Sequence, residues 1–262
     1  MPYVQGLYPI VKKVNLAKNI FDFTILCPQI AKEAEAGQFA HIKAAGFQLR
    51  RPISICGIDK DAGTIRIVFE IRGDGTEQIA RLNEGELIDI LAPLGHGFTL
   101  LDKSKKAVVI GGGIGVPPLL QTARHYGGNA TAIIGFRSAS AVILKEDFEK
   151  AGVNTVLCTD DGTAGRKGFV TVALEEVLKK ETPDIICACG PMPMLKAVAA
   201  MADAKGILCE ISLEERMGCG VGACLVCACK TKKDGIETFS HVCKDGPVFN
   251  SKEVVFSWLI CL

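Results

Sequence analysis

Residues 107–118 read AVVIGGGIGVPP, and they set the architecture of the middle of the chain. Four apolar residues run into three consecutive glycines, a fourth glycine stands at position 115, and two prolines follow. This pattern is typical of a buried strand that turns tightly into a helix, because proline suits a first helical turn. Backbone N–H groups at such a turn suit the phosphates of a dinucleotide. The candidate contacts are Gly111, Gly112, Gly113, Ile114 and Gly115.

Further apolar runs and helical patterns alternate on the C-terminal side of this turn. Fully apolar strands that alternate with helices predict a doubly wound parallel sheet covered on both faces. The predicted strands are 130–134, 155–158, 185–188 and 207–211, and the predicted helices are 145–150, 170–180 and 192–204.

Three loops at the carboxyl ends of these strands are candidate ligand contacts, because open α/β sheets bind ligands at that edge. Asp160 follows one strand, and Cys189 and Gly190 follow another. Turn formation alone is an equally open interpretation of the aspartates at 160 and 161. Arg137, after the second strand, either faces the 2′-phosphate of NADP or is a solvated surface residue, so the choice between NAD and NADP stays open.

Residues 1–100 lie on the N-terminal side of the turn and have a different pattern of apolar residues. Short runs rich in β-branched and aromatic residues are separated by glycine and proline turns, which predicts an antiparallel sandwich or barrel with one helical interruption at 76–82. The predicted strands are 21–26, 39–42, 53–56, 64–71 and 86–91. The arginine and the serine hydroxyl of Arg51-Pro-Ile-Ser54 suit a flavin pyrophosphate and ring edge, although a surface arginine before a strand is the simpler alternative.

The region after residue 211 is rich in glycine and cysteine. Cys219-x4-Cys224-x2-Cys227, with Cys243 fifteen residues later, offers four thiolates, the number that a [2Fe–2S] cluster needs. Structural zinc is the alternative, but zinc sites usually come as paired C-x2–4-C segments. Cys229 is left out as a ligand because it lies only two positions from Cys227. The scattered cysteines are expected to be buried thiols; they are Cys27, Cys56, Cys158, Cys187, Cys189, Cys209 and Cys261.

Composition excludes several classes of protein. The chain has 262 residues, 48% of them apolar, which suits two domains with packed cores and a small module. The formal net charge of +1 gives no global basic field for nucleic acid. No window approaches a membrane span and no export signal is visible, so we expect a cytoplasmic protein. The apolar run 254–262 is expected to dock on the body of the protein or on a partner.

Taken in order, these motifs resemble the ferredoxin–NADP reductase superfamily, and within it the electron-transfer subunits of NAD-dependent (type B) dihydroorotate dehydrogenases. The resemblance covers essentially the whole chain, and the segment DGPVF at 245–249 is specific for that family. The motifs are RPIS at 51–54, GT at 75–76, PLGHGF at 93–98, GGGIGVPP at 111–118, CGP at 189–191, LKAV at 195–198, EERMGCGVGACLVC at 214–227 and VCKDGPVF at 242–249.

The resemblance implies three domains: an FAD-binding β-barrel at 1–100, an NAD-binding α/β domain at 101–210 and a [2Fe–2S] domain at 211–262. It implies iron ligation by Cys219, Cys224, Cys227 and Cys243. This chain has Phe69-Glu70 where relatives carry Tyr-Arg, and Arg72 is the candidate replacement. The implied FAD contacts are Arg51, Pro52, Ile53, Ser54, Val68, Phe69, Glu70, Gly75 and Thr76, and His96 is the histidine expected nearest the flavin.

The implied function is electron transfer between NAD(H), FAD and the cluster, to or from an FMN-containing dihydroorotate dehydrogenase catalytic subunit in pyrimidine biosynthesis. Dihydroorotate oxidation is expected on another subunit, because 262 residues leave no room for a second domain of about 250 residues. The resemblance implies a heterotetramer of two plus two chains. The alternatives are the flavin subunit of an NAD(P)H-dependent ferredoxin or sulfur reductase and a non-enzymatic module stabilised by zinc.

Overall fold

The computed structural model describes residues 3–257, which form a closed barrel, a seven-stranded sheet and a small hairpin lobe. The barrel has six strands in the order β1-β2-β5-β4-β3-β6, all paired antiparallel, and it carries two short helices. The prediction of an N-terminal antiparallel barrel is confirmed. Its elements are β1 (Val4–Ala17), β2 (Ile20–Leu26), α1 (Pro28–Glu33), β3 (Phe39–Lys43), β4 (Arg50–Asp59), β5 (Thr64–Glu70), α2 (Asp74–Ala80) and β6 (Leu87–Leu94).

Alternation along the strands fills the barrel. On β5, Ile65, Ile67 and Phe69 lie in the barrel core, while Val68 faces the sheet domain. The 14-residue strand β1 was not predicted from the sequence, since two consecutive lysines interrupt its apolar pattern: Lys12 is exposed, and the Nζ of the partly buried Lys13 donates to the Ala80 carbonyl at 2.8 Å. Pairing with both β2 and β6 establishes β1 and closes the barrel.

The sheet domain has the order β10-β9-β8-β7-β11-β12-β15. Its first six strands are parallel, and β15, from the C-terminal region, adds an antiparallel edge. The doubly wound parallel sheet is confirmed, and the antiparallel edge was not foreseen. The elements are β7 (Ala107–Gly112), α3 (Leu120–Tyr126), β8 (Ala130–Phe136), α4 (Lys145–Lys150), β9 (Asn154–Thr159), β10 (Arg166–Lys167), α5 (Val170–Lys180), β11 (Ile185–Cys189), α6 (Met192–Asp203), β12 (Leu208–Ser212) and β15 (Val248–Asn250).

Both faces of this sheet are buried, as the continuous apolar runs predict. On β7, Val108 and Ile110 pack on the side of α5 and α6, and Val109 packs on the side of α3. The core on the first side extends without a break into the C-terminal region, where it includes Cys227 and Cys243.

The small lobe is a hairpin of β13 (Ala228–Lys233) and β14 (Ile236–His241). Asp234 and Gly235 form its two-residue turn with φ angles of 50° and 84°, as an Asp-Gly turn favours. Trp258–Leu262, most of the apolar run expected to dock, and Cys261 lie outside the described residues. Among the residues described, no helix is long and apolar enough to cross a membrane.

An ion-pair network joins the barrel to the sheet domain. Arg66 on β5 donates to Asp22 on β2 at 2.6–3.0 Å and also pairs with Asp147 on α4. Asp22 is almost fully buried, so its charge depends on this partner. The network therefore helps to fix how the two domains face each other.

Replacement of Arg66 by methionine should lower the free energy of unfolding by about 3 kcal/mol, because it leaves the Asp22 carboxylate buried without its partner. Urea denaturation measures the loss. Arg81→Met is the control: Arg81 pairs with Glu77 at 2.8 Å on the exposed face of α2, and such pairs contribute less than about 1 kcal/mol. Equal losses in both variants would contradict the assigned role of Arg66.

Candidate functional site

The four predicted cysteine ligands come together as two pairs. The Sγ atoms of Cys219 and Cys224 lie 3.4 Å apart in the loop before β13. Cys227, at the end of that loop, forms a side-chain hydrogen bond with Cys243, which follows β14. The backbone N–H of Gly222 donates to Cys243 Sγ at 3.2 Å, so the loop of the first pair also contacts the second.

Backbone N–H groups of the loop point at the sulfurs and favour thiolates. Burial acts to raise the pKa of Cys219, but hydrogen bonds from the Val221 N–H at 3.4 Å, from the Cys224 side chain and backbone, and from the Ala223 N–H at 3.2 Å outweigh it and bring the pKa to about 7. The hydrogen bond between Cys227 and Cys243 lowers the pKa of Cys227 to about 6 and raises that of Cys243. Each pair therefore has one thiol that readily loses its proton, which suits metal ligation.

This donor set fits a two-iron cluster. Each pair offers two thiolates, and the contact of the Gly222 N–H with Cys243 Sγ joins the loop of the first pair to the second, as a bridged pair of irons requires. Within residues 3–257, no three His, Cys, Asp or Glu side chains are close enough to hold a metal ion, so the four sulfurs stand as two pairs rather than as one tight group. Burial raises the pKa of Cys229, on β13, to about 12, so Cys229 stays a neutral thiol.

Gly220 lies where the cysteine loop meets the barrel. Its φ angle is +76°, and a Cβ there would lie 2.4 Å from Nδ1 of His41 on β3. Any larger residue would be strained in backbone and in packing. Burial and the nearby Arg50 guanidinium lower the pKa of His41 to about 4, so its ring is neutral.

The structure brings together the candidate FAD contacts at positions 51 and 75–76. A Cβ at Gly75, in the first turn of α2, would lie 2.3 Å from Nε of Arg51, so the guanidinium lies directly over this turn. Thr76 Oγ1 accepts the Arg72 N–H at 2.9 Å and orders the approach to the helix. A guanidinium over a helix start fits a pyrophosphate, which needs positive charge and N–H donors.

The remaining FAD candidates differ in whether their side chains or only their backbone atoms are available to a ligand. Pro52 and Ser54, on β4, lie opposite His41 and Phe39 of β3, and Ile53 alternates with them into the barrel. Phe69 also lies in the barrel core, with its ring centroid 5.3 Å from that of Phe23, so only its backbone is available to a ligand.

Val68 is buried against the sheet domain, and Glu70 pairs with Arg72 at 2.9 Å. Arg72, the candidate replacement for the family arginine, is therefore already paired with the Glu70 carboxylate. His96 is anchored by its backbone N–H, which donates to Gly246 O at 2.5 Å.

The nucleotide candidates gather at the carboxyl edge of the sheet. The turn after β7 packs on the start of α6: a Cβ at Gly115 would lie 2.4 Å from the Cys189 carbonyl oxygen and 2.7 Å from Gly190 Cα. Gly113 has a φ angle of +56° and open space beside it. Gly112 also packs on the start of α6, since a Cβ there would lie 3.0 Å from Pro191 Cδ. Gly111 packs within the turn itself, where a Cβ would lie 2.8 Å from Val116 Cγ2, and Ile114 is partly exposed.

The aspartates after β9 divide between the two interpretations. Asp160 is exposed at the same edge, with its N–H donating to the Phe136 carbonyl at 3.0 Å. Asp161 Oδ1 accepts the Thr163 N–H at 2.9 Å and the hydroxyl at 2.7 Å, which is turn chemistry. Arg137, at the end of β8, is exposed.

The segment 245–249 has a structural role that the cysteine spacing did not explain. The Asp245 carboxylate accepts a hydrogen bond from the His241 N–H at 2.7 Å. The Gly246 carbonyl accepts the N–H of His96 in the barrel turn, and the Pro247 carbonyl accepts the Leu213 N–H at 2.8 Å. Val248 and Phe249 then form β15 in the sheet. The segment therefore connects the cysteine lobe, the barrel and the sheet.

Two family models match the chain. Residues 214–255 match the iron–sulfur cluster binding domain of dihydroorotate dehydrogenase B, and residues 109–200 match the oxidoreductase NAD-binding domain. The first match includes all four paired cysteines, and the second includes the glycine turn and Gly190.

Similar proteins cover almost the whole chain. The dihydroorotate dehydrogenase B (NAD(+)) electron transfer subunits of Bacillus mycoides and Bacillus cereus are each 40% identical over 255 residues, with 94% of this chain and 96% of theirs covered. A chain from the NADH-dependent reduced ferredoxin–NADP oxidoreductase structure, described for flavin-based electron bifurcation, superposes with a TM-score of 0.86 at 30% identity, covering 97% of this chain and 92% of its own. A cytochrome P450 reductase of Amycolatopsis shares the fold, with a TM-score of 0.64 at 21% identity over 77% of this chain and 66% of its own.

Replacement of Cys224 by serine should abolish the stable cluster, because it removes one thiolate of the first pair. Cys229→Ser is the matched control, five positions along the chain, and should keep it. Iron and sulfide per chain, together with the visible absorption spectrum, provide the measurement. Equal iron loss in both variants would mean that the ligand set is misassigned.

Replacement of Arg51 by glutamine should weaken FAD binding by roughly 10- to 100-fold, since a charge-assisted hydrogen bond contributes about 1.5–3 kcal/mol. Fluorescence titration of the flavin-depleted protein with FAD measures the affinity. Arg81→Gln, at the other end of α2, should bind FAD normally; an unchanged affinity in the Arg51 variant would place the pyrophosphate elsewhere.

Proposed function

The chain belongs to the family of dihydroorotate dehydrogenase B electron transfer subunits, and on that premise we propose that it carries electrons between NAD(H) and an FMN-containing catalytic subunit through FAD and a [2Fe–2S] cluster. The proposal places the protein in pyrimidine biosynthesis, where the catalytic subunit exchanges electrons with dihydroorotate. A cytoplasmic location stays a prediction from the sequence.

The position of β3 carries this proposal. On one side, β3 pairs with β4, which holds the flavin candidates 51–54. On its outer face, His41 contacts the cysteine loop at Gly220, and Phe39 shares a core with Cys227 and Cys243. Neighbouring strands lie about 4.8 Å apart. The flavin strand and the cysteine pairs are therefore separated by little more than one strand, which supports direct electron transfer between the groups they bind.

In this proposal the chain's own residues bind and orient the two nucleotides and stabilise charge at the cysteine ligands. Arg51 and the first turn of α2 would hold the FAD pyrophosphate, and the turn at 111–115 would hold the phosphates of NAD(H) at the carboxyl edge of the sheet. The loop N–H groups of Val221 and Ala223 stabilise negative charge on Cys219. A bound flavin supplies the conversion between two-electron and one-electron transfer.

An exposed apolar patch supports a partner at the cluster. Leu225 and Val226, between two of the cysteine ligands, are 75% and 56% exposed. Exposed apolar side chains beside a redox centre suit an interface whose rim is polar. We assign this patch to contact with the catalytic subunit, in a heterotetramer of two plus two chains.

A second candidate function rests on the 30% identity and the TM-score of 0.86 with the chain from the ferredoxin–NADP oxidoreductase structure. In that case the partner would be the other subunit of an NAD(P)H-dependent ferredoxin reductase. The higher identity to the dihydroorotate dehydrogenase subunits, 40% over 94% of the chain, favours the first proposal.

Anaerobic titration with NADH tests the proposed function. The purified protein should contain one FAD and two irons, and NADH should bleach both the flavin and the cluster absorbance. With the catalytic subunit added, NADH should reduce orotate. Reduction of ferredoxin but not of orotate would favour the second candidate. A colourless protein that holds a single zinc ion would exclude both.

Replacement of Leu225 by glutamate should weaken association with the catalytic subunit by about 10-fold or more, because a charge would be buried at an apolar contact. NADH-dependent reduction of a small dye should remain unchanged, since Leu225 is not among the residues proposed to bind NADH or FAD. Val172→Glu, on the exposed face of α5, is the control. Analytical ultracentrifugation measures association; wild-type affinity in the Leu225 variant would remove this patch from the interface.

A further inference from the structure

His41 is a buried polar side chain whose ring lies against the backbone of Cys219 and Arg50. Its side chain is 0% exposed, and neither Nδ1 nor Nε2 forms a hydrogen bond of good geometry there. Among the described residues, the other buried side-chain N or O atom in this position is Thr122 Oγ1, on α3. An unsatisfied buried polar group costs about 1–3 kcal/mol. A histidine with two such atoms indicates a role that an apolar residue could not fill.

The His41 ring contacts the cysteine loop. Its Nδ1 faces Gly220 and occupies the space that a side chain at position 220 would fill. The Phe39 ring lies edge-on to the imidazole, with the ring centroids 6.5 Å apart. The Arg50 guanidinium donates to the His41 carbonyl at 3.2 Å and holds the backbone of β3. The imidazole therefore packs on the turn that begins at Cys219.

A neutral imidazole carries one N–H donor and one acceptor. The ring packs on the Cys219–Gly220 turn, where a Cβ at Gly220 would lie 2.4 Å from Nδ1. The positive edge of an N–H group beside a cluster stabilises the extra electron of the reduced state and so raises the reduction potential. Because β3 also pairs with the flavin strand, the same contact sets the spacing between the two predicted cofactor sites.

We propose that His41 is a positioning residue that holds the Cys219–Gly220 turn against the barrel and raises the reduction potential of the cluster through its ring N–H. This inference rests on the proposed function, since it requires a cluster at the paired cysteines. It assigns to β3 an electrostatic role in addition to its structural one.

His41→Phe tests the inference, because phenylalanine keeps the ring packing on Phe39 and removes both nitrogens. Iron and FAD content should stay at wild-type levels. The midpoint potential of the cluster, from a redox titration followed by electron paramagnetic resonance without the partner, should shift to a lower value, with a changed line shape. His125→Phe is the control: its ring bonds the Leu101 carbonyl at 2.8 Å in the sheet domain, and it should leave the potential unchanged.

His41→Asn is the second variant, because it is smaller and keeps one N–H donor. It should show a shift in the same direction but smaller, which a purely steric role would not produce. A wild-type potential and line shape in His41→Phe, or in His41→Asn where the first variant does not fold, would overturn the inference. A wild-type protein without a cluster signal would overturn the proposed function as well, so the two failures are distinguishable.

Discussion

The contact between the cysteine loop and strand β3 is the constraint on which the arrangement of the molecule depends. Four thiolates must converge while their loop lies flat against the barrel, and the approach of Gly220 to His41 leaves no room for a side chain. The positive φ angles at Gly220 and Gly222 turn N–H groups of the loop toward the sulfurs. One short loop thus meets the requirements of ligation, charge stabilisation and close packing together.

The second constraint is that the barrel, the sheet and the cysteine lobe must keep fixed positions relative to one another. A single segment, 245–249, meets it by bonding the barrel turn at His96, the chain before the cysteine loop at Leu213 and the sheet through β15. On the opposite side, Arg66 joins the barrel to α4. Cofactors bound to different domains would stay at one separation only if the domains did not rotate, and these contacts oppose rotation.

Patterns local in sequence predicted much of the fold. The helices at 145–150 and 170–180 end where expected, since the apolar spacing and the flanking turns agree there. Strand β1 was missed because the consecutive Lys12 and Lys13 hide the alternation, and β15 because three residues carry no periodic signal. Spacing alone selected the four cysteines, but it could not show that they pair as 219 with 224 and 227 with 243, or that His41 lies beside them. Those contacts join residues as far apart as 41 and 220, and only tertiary structure brings them together.

Phe69 and Glu70 stand where the family resemblance implies Tyr-Arg, and each has its own partner in the structure. A phenyl ring suits the dry barrel core, where Phe69 packs with Phe21 and Phe23, and it leaves no hydroxyl to satisfy. The negative charge of Glu70 would oppose a nearby phosphate, but Arg72 pairs with it at 2.9 Å and cancels that charge locally. The positive potential at the predicted pyrophosphate site therefore comes from Arg51 and the start of α2. Compared with a site that has two arginines, FAD affinity in this chain should depend more on a single guanidinium.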